Sequence, residues 1–379
     1  MIPAGWTETT LKNVLSRGSS NLSANKLIDC DGNYPVYGAS GLVKKVNFYQ
    51  QEKDYLAVIK DGAGVGRVYH YEANSSVLGT LQYLFPKPDI NIRFAYYFLT
   101  SIDYKKYYQG AAIPHIYYKD YCNEKIVLPP LPEQKRIVDK LDTLFADIDA
   151  EKQIVQQNLQ NSKELFESEL HKLFTENTDD WEEKQLGEIC NIAIGKTPSR
   201  GSKAFWDTEL QTNNTWLSIA DLNSAKNKVV DTSTERISNK ALPLMTLVSK
   251  GTLLLSFKLT IGRLAFAGKD LYTNEAIAQL PIKGGVQIDK YYLYYYLSAF
   301  DYETLLKGDV KVKGKSLNKQ KLHVLPVSYP SLTEQRRVVE KLDALHEQTQ
   351  ELEQIYIKQI ADLDELKQSI LKKAFYGEL

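Results

Sequence analysis

The chain has 379 residues, 43% of them hydrophobic and 25% charged, with 47 Lys+Arg against 47 Asp+Glu. This balance excludes a disordered, collagen-like or disulfide-stapled chain, and no apolar run approaches the ~18 residues of a membrane span. Net zero charge, taken alone, argues against a nucleic-acid binder; the way the charge is distributed does not.

Four blocks follow one another with alternating charge. Residues 1–127 carry a net +3, residues 128–176 a net −4, residues 177–327 a net +4 and residues 328–379 a net −3. Chance segregation of solvated charge is the competing explanation, and so small an excess does not define function by itself. The opening MIPAGWTETTLKN has no basic stretch leading into an apolar one, so no secretory signal is expected. Cys30, Cys122 and Cys190 are widely spaced and odd in number, which fits a reducing cytoplasm better than a disulfide framework or a metal cluster.

In chain order, the first block reads as mixed α/β. YGASG at Tyr37–Gly41 is a turn, Tyr55–Ile59 a strand, DGAGVG at Asp61–Gly66 a hairpin turn and Val77–Phe85 a strand. RFAYYFLTS from Arg93 reads as a helix whose aromatics belong to a core. The second block starts with prolines at 129, 130 and 132. It then runs without Gly or Pro, placing Ile137, Leu141, Leu144 and Ile148 at 4-3-4 spacing, a helix of about 40 residues and about 60 Å. The third block has strands at Thr252–Phe257 and Ile277–Ile282, and a helix KYYLYYYLSAF from Lys290. The fourth is again a long helix. Val338, Leu342, Leu345, Leu352 and Leu363 form its stripe, which Thr349 and Gln359 interrupt. Alone, either helix would leave its stripe bare; the simplest burial is against the other, as an antiparallel coiled coil.

The blocks are two copies of one plan. LPPLPEQKRIVDKLDTL from Leu128 aligns without a gap to YPSLTEQRRVVEKLDAL from Tyr329, and 18 of the 49 positions from Leu128 to Glu176 are identical to the second copy. The flanking blocks match more loosely: Trp6 with Trp181, Gly66-Arg67 with Gly262-Arg263, and Tyr96–Leu99 with Tyr294–Leu297. The second copy carries most of its extra length between Gly195 and Leu255. Such duplication implies pseudo-twofold symmetry, which is how many proteins meet two DNA half-sites.

The sequence carries no recognisable catalytic signature. DGAGVG is followed by the strand-like RVYHY instead of a helix N-terminus, so it lacks the element that cradles a phosphate. There is no GxxxxGK[ST], HExxH or CxxC, and the five histidines fall in no nucleophile or metal constellation. Leu128-Pro129-Pro130-Leu131 lacks the polar residue that an amino-methyltransferase uses to hold its target amine.

The proline-led EQ(K/R)R and (D/E)KLD of both copies, the closing ILKKAFYGEL, the openings GWTETTLKNV and DWEEKQLGEI, and YPVYGASGLVKKVNFY together resemble the specificity subunits of type I restriction-modification systems. The resemblance spans essentially the whole chain. It implies an α+β fold in which two α/β target-recognition domains, residues 1–127 and 177–327, are separated by two long conserved helices, residues 128–176 and 328–379, packed as an antiparallel coiled coil. Each domain would read one half of a bipartite double-stranded DNA site. The helices would set the spacing and dock two methyltransferase (modification) subunits, which restriction motor-nuclease subunits then join. No catalysis and no cofactor is expected in this chain; S-adenosylmethionine would sit on the methyltransferase partner, in the cytoplasm and away from any membrane. The alternatives are a duplicated coiled-coil adaptor without DNA binding, a stand-alone methyltransferase, and a silent copy of a specificity gene.

Recognition loops vary too much for the resemblance to supply contacts, so candidates rest on residue type and loop position. In the first domain they are Lys44, Lys45, Lys60, Arg67, Lys105, Lys106, His115 and Lys119. In the second they are Asn213, Asn214, Lys258, Arg263, Lys311, Lys313, Lys315, Asn318 and Lys319. The helix-core candidates are Ile137, Leu141, Leu144, Ile148, Val338, Leu342, Leu345, Leu352 and Leu363.

Overall fold

The structure, a computed structural model, describes residues 3–27, 30–62, 64–110, 113–176, 180–306 and 317–379. It divides into two units, one made of residues 1–158 with 355–379, the other of residues 159–354.

In the first unit, β1 (Thr7–Thr10) pairs antiparallel with the strand that leads into the first long helix. A four-stranded sheet is built from β2 (Leu15–Ser19) and three later strands. A second, three-stranded sheet contains the hairpin β3 (Tyr34–Gly38) and β4 (Gly41–Val46). The centre of the larger sheet is β5 (Tyr55–Ile59), flanked by β6 (Val68–Tyr71) on the edge. β7 (Ser76–Val77) runs parallel to β3, and β8 (Leu81–Pro86) lies between β2 and β5. All five residues of β5 are buried. Leu56 and Val58 face a core with Phe94 and Phe98, while Tyr55, Ala57 and Ile59 face another with Val77 and Tyr83. Two covered faces explain an unbroken apolar strand where a one-sided sheet would show alternation. The single strand expected over Val77–Phe85 is two, β7 and β8. Leu78–Thr80 forms a turn between them, and Gly79 lies so close to the Ser20 and Leu22 carbonyls that a β-carbon would stand 3.2 and 3.3 Å from them.

The aromatic helix Ile92–Ser101 follows, capped by Asn91, whose side chain accepts from the amides of Arg93 and Phe94. The chain returns through β9 (Lys125–Leu128), which pairs with β1 in the register Thr7–Leu128.

The second unit repeats the plan. β10 (Glu182–Gln185) pairs antiparallel with the strand before the second long helix. The main sheet has five strands, opened by β11 (Ala193–Ile194). Among the remaining strands are β12 (Trp216–Leu217), β13 (Val229–Val230), β14 (Leu253–Ser256), β15 (Leu264–Ala267), β16 (Tyr272–Thr273) and β17 (Ile277–Leu280). The order of the main sheet is β11-β17-β14-β15-β13, with β13 parallel to β15. Asp289 caps the aromatic helix Lys290–Ala299 as Asn91 caps its counterpart. β18 (Pro326–Tyr329) closes the pair with β10 in the register Glu182–Tyr329.

The long helices are Leu131–Thr175 and Leu332–Phe375, of 45 and 44 residues. Each contributes one end to each unit. In the first unit Lys152 meets Asp364 at 2.6 Å and Asp149 meets Lys367 at 2.5 Å; in the second, Glu169 meets Lys341 at 3.1 Å and Phe166 lies 4.9 Å from His346. As one number rises the other falls, so the pairing is antiparallel in both.

Burial follows one position per heptad. Leu141, Ile148, Val155 and Ser162 are buried seven residues apart, and Leu342 and Thr349 are buried in the second helix. Ile137 and Val338 are buried against the globular cores, while Leu144, Leu345 and Leu363 are half-buried. Leu352 departs from the expected helix core: it is 38% exposed. The seam passes instead through Thr349, expected to break it. Thr349 fits because its hydroxyl donates to the Leu345 and His346 carbonyls, so the buried oxygen is satisfied within its own helix.

Candidate nucleic-acid interface

In the first unit the β5–β6 hairpin meets the segment before β9. The Lys60 carbonyl accepts from Ile116 at 2.9 Å, Asp61 and His115 form a β-bridge, and the Tyr108 hydroxyl donates to the Val65 carbonyl at 3.1 Å. Gly66 turns the hairpin at φ 88°, pressed so closely on Tyr104 that a β-carbon would lie 2.8 Å from it. Lys60, Arg67, Lys105, Lys106, His115 and Lys119 therefore belong to one edge. Arg67, Lys105 and Lys119 are exposed there, and Lys119 lies 5.3 Å from the Tyr117 ring. Lys106 is paired with Glu124. Lys44 and Lys45 sit on the other hairpin, β3–β4, where Lys44 bonds Asp31 at 2.9 Å and Lys45 is exposed.

The second unit builds the same edge from different residues. The Phe257 carbonyl accepts from Leu317 at 2.8 Å, as Lys60 accepts from Ile116. Gly262, at φ 88°, lies against Tyr302 as Gly66 lies against Tyr104, and exposed Arg263 follows it as Arg67 follows Gly66. Lys258 is half-buried, while Asn318 and Lys319 are exposed beside it. The Asn318 side chain caps the short helix Lys319–His323, bonding Lys321 N at 2.8 Å, so its acceptor is spent locally. Asn214 is likewise spent on the Ile237 carbonyl and the Asn239 side chain, whereas Asn213 is exposed. Lys311, Lys313 and Lys315 lie outside the described residues.

Behind each edge, the repeated motifs dock the globular part on its long helix. Asp142 takes the Tyr97 hydroxyl and the Arg93 guanidinium; Asp343 takes the Tyr295 hydroxyl at 2.5 Å and Lys228 at 2.7 Å. The hydrogen bond to Asp142 holds the Arg93 guanidinium above its ordinary pKa. Burial pushes the Asp343 carboxyl up, but the bonds from Lys228 and Tyr295 outweigh it and leave the group below the usual carboxylate range. Burial and the neighbouring Lys228 hold His346 below the ordinary imidazole value.

Three cations that tie separate segments together had no sequence signal. Lys228 and Arg93 act across long separations. Arg200 stands 3.9 Å from the Trp206 ring and 4.9 Å from Trp216, paired with Glu235 in the extra length of the second copy. No helix among the described residues is long and apolar enough to cross a membrane.

Each unit thus presents a basic edge built on the same plan beside its share of the long helices. The chain belongs to the family described as type I restriction modification DNA specificity domain, whose sequence model matches residues 3–158 and 178–361. It is 24% identical, over all of this chain and 89% of the relative, to the type I restriction enzyme EcoDI specificity subunit of Escherichia coli. It is 27% identical to the EcoBI specificity subunit of the same organism, over 71% of this chain and 61% of that one. A solved chain from work on complex assembly and conformational transition of the type I R-M system shares the fold over both full lengths, with a TM-score of 0.78 at 19% identity. The HsdS subunit from Thermoanaerobacter tengcongensis does so with a TM-score of 0.58 at 21% identity, over 100% of this chain and 98% of that one.

Proposed function

We propose that the two units each read one half of a split double-stranded DNA site, and that the chain itself catalyses nothing. Residues 1–127 and 177–327 serve as the two target-recognition domains; residues 128–176 and 328–379 serve as spacers. The observation that carries this reading is the repeated edge: Gly66-Arg67 against Tyr104 in one unit and Gly262-Arg263 against Tyr302 in the other. Identical placement of an exposed arginine, in the two blocks of positive charge, suits two equivalent encounters with a polyanion. Exposed lysines at positions 45, 105, 119 and 319 suit phosphates.

The long helices fix the gap between half-sites and dock two methyltransferase subunits. Their acidic surface and uncovered Ile154, Leu165, Leu352, Ile355, Ile357 and Leu366 support a protein partner over a nucleic acid there. S-adenosylmethionine binds that partner, where the target adenine is flipped out of the duplex. Restriction motor-nuclease subunits complete the assembly in the cytoplasm.

The test is methylation mapping of the host genome by long-read sequencing, with and without this gene. One split motif, with two short half-sites around a fixed gap, is expected to lose adenine methylation in the deletion. An unchanged methylome, in a strain shown to express the chain beside a methyltransferase, would leave the adaptor reading in its place.

A further inference from the structure

The two docking sites differ in one respect. On the first, the cation on Asp142 comes from Arg93, four residues before Tyr97 on the same aromatic helix. On the second, the corresponding helix position is Tyr291, and the cation comes from Lys228, outside that helix and inside the extra length of the second copy.

Lys228 is held in an unusual backbone. Asn227 and Lys228 have φ of 48° and 66°, between Lys226 and Val229, whose amides and carbonyls exchange hydrogen bonds at 2.9 Å. This is a two-residue hairpin loop of the kind that strongly favours Asn followed by Gly. A lysine in the second place is disfavoured on its own terms, so its side chain must supply the compensation. The ammonium group lies 2.7 Å from Asp343 and 5.0 Å from the Tyr295 ring, with the side chain only 18% exposed. Lys228 also leads directly into β13, the edge strand of the five-stranded sheet, and its carbonyl accepts from Phe266 of β15 at 2.7 Å.

We propose that Lys228 is a positioning residue for recognition: it fastens the outer edge of the second sheet to the second long helix, and so sets the angle at which this unit meets its half-site. The proposal rests on the reading that each unit contacts one half of a split site. A second anchor lies near the start of the helix, where the Gln335 side chain accepts from the Asp289 amide at 2.7 Å. Val338 and Leu342 of the long helix also share a core with Leu253, Leu255 and Phe266 of the sheet. With the Lys228 latch released, that core and the Gln335 anchor remain and only the outer edge of the sheet is loosened, which shifts the recognition loops relative to the duplex.

Lys228→Gly separates this role from simple support of the fold. Glycine suits the loop better than lysine, so the hairpin is preserved while the latch is lost. The experiment maps host methylation with the gene replaced by wild type, K228G or K228R, each alongside its native partner subunits. Wild type is expected to mark one gap length. K228G is expected to mark the same two half-site sequences at gaps one base pair longer or shorter as well. K228R, which keeps a cation within reach of Asp343, is expected to hold the single gap. K228G marking only the wild-type gap, or losing methylation at every gap alike, overturns the latch. A wild-type chain that writes no split motif overturns the recognition reading instead.

Discussion

Gln134 and Gln335 do the same work in the two halves. Each side chain accepts from the amide of a helix-capping residue, Asn91 at 2.8 Å and Asp289 at 2.7 Å. Each also donates to two carbonyls, those of Asp89 and Pro129 in one case and of Gln287 and Pro330 in the other. Both are buried, at 1% and 0% exposure. The glutamine of the repeated Glu-Gln is thus a joint between a long helix and the aromatic helix beside it.

Truncation of either glutamine strands one buried amide and two carbonyls. Gln335→Ala is expected to destabilise the second unit by about 2–4 kcal/mol, and Gln134→Ala the first by a like amount. Urea unfolding of the purified chain measures both; a change below about 0.5 kcal/mol would show the joint to be dispensable.

The ends of the long helices close the opposite cores. Phe375 packs 5.3 Å from both Phe94 and Phe98, and Phe174 packs 5.4 and 5.5 Å from Tyr292 and Tyr296. Either Phe→Ala change is expected to cost about 3 kcal/mol. Hydrogen exchange read by mass spectrometry should place the Phe375→Ala loss around the first aromatic helix and the Phe174→Ala loss around the second. Swapped locations would contradict the assignment of helix ends to units.

His346 gives the second unit a pH dependence. Its folded pKa is lowered by burial and by Lys228, with Asp343 and Glu353 opposing. A lowered imidazole pKa favours the neutral form, so its contribution is complete above the unfolded value near 6.5 and declines as pH falls below it. Asp343, also lowered, contributes in the same sense but in the acid range, below about 4. Melting temperature is therefore expected to fall between pH 7.5 and 5.5 in wild type and to fall less in His346→Gln. Equal slopes would remove His346 as the cause.

Removing exposed charge from the first edge is expected to act on phosphates. Lys105→Ala with Lys119→Ala should weaken DNA binding at all sequences and reduce the slope of log K against log salt by about 2. Arg67→Ala and Arg263→Ala should each relax one half-site only. Fluorescence anisotropy across a salt series, with randomised half-sites, distinguishes these outcomes.

Much of this was legible in residues alone. The gapless match between the two long blocks announced the helices, YGASG announced a turn and DGAGVG a hairpin turn, because proline, glycine and heptad spacing act locally. What stayed hidden depends on partners far along the chain. Nothing near Asn318 shows that its side chain is taken up by a helix cap, or that Lys106 is neutralised by Glu124. Leu352 looked like a core residue by spacing, yet Thr349 holds the seam, because a hydroxyl bonded to its own helix tolerates burial. Lys228 sat in a stretch with no counterpart in the first copy, and only three-dimensional proximity brings it to Asp343.

The first unit is assembled from residues 1–158 and 355–379, and its core includes Leu371, Ala374 and Phe375. On the ribosome, that core stays open while the whole second unit is made. At about 5–20 residues per second, the wait is roughly 10–40 s, with Phe94 and Phe98 uncovered throughout. Chaperone dependence and exchange of the C-terminal segment between neighbouring nascent chains should therefore concentrate on the half of the molecule that is synthesised first.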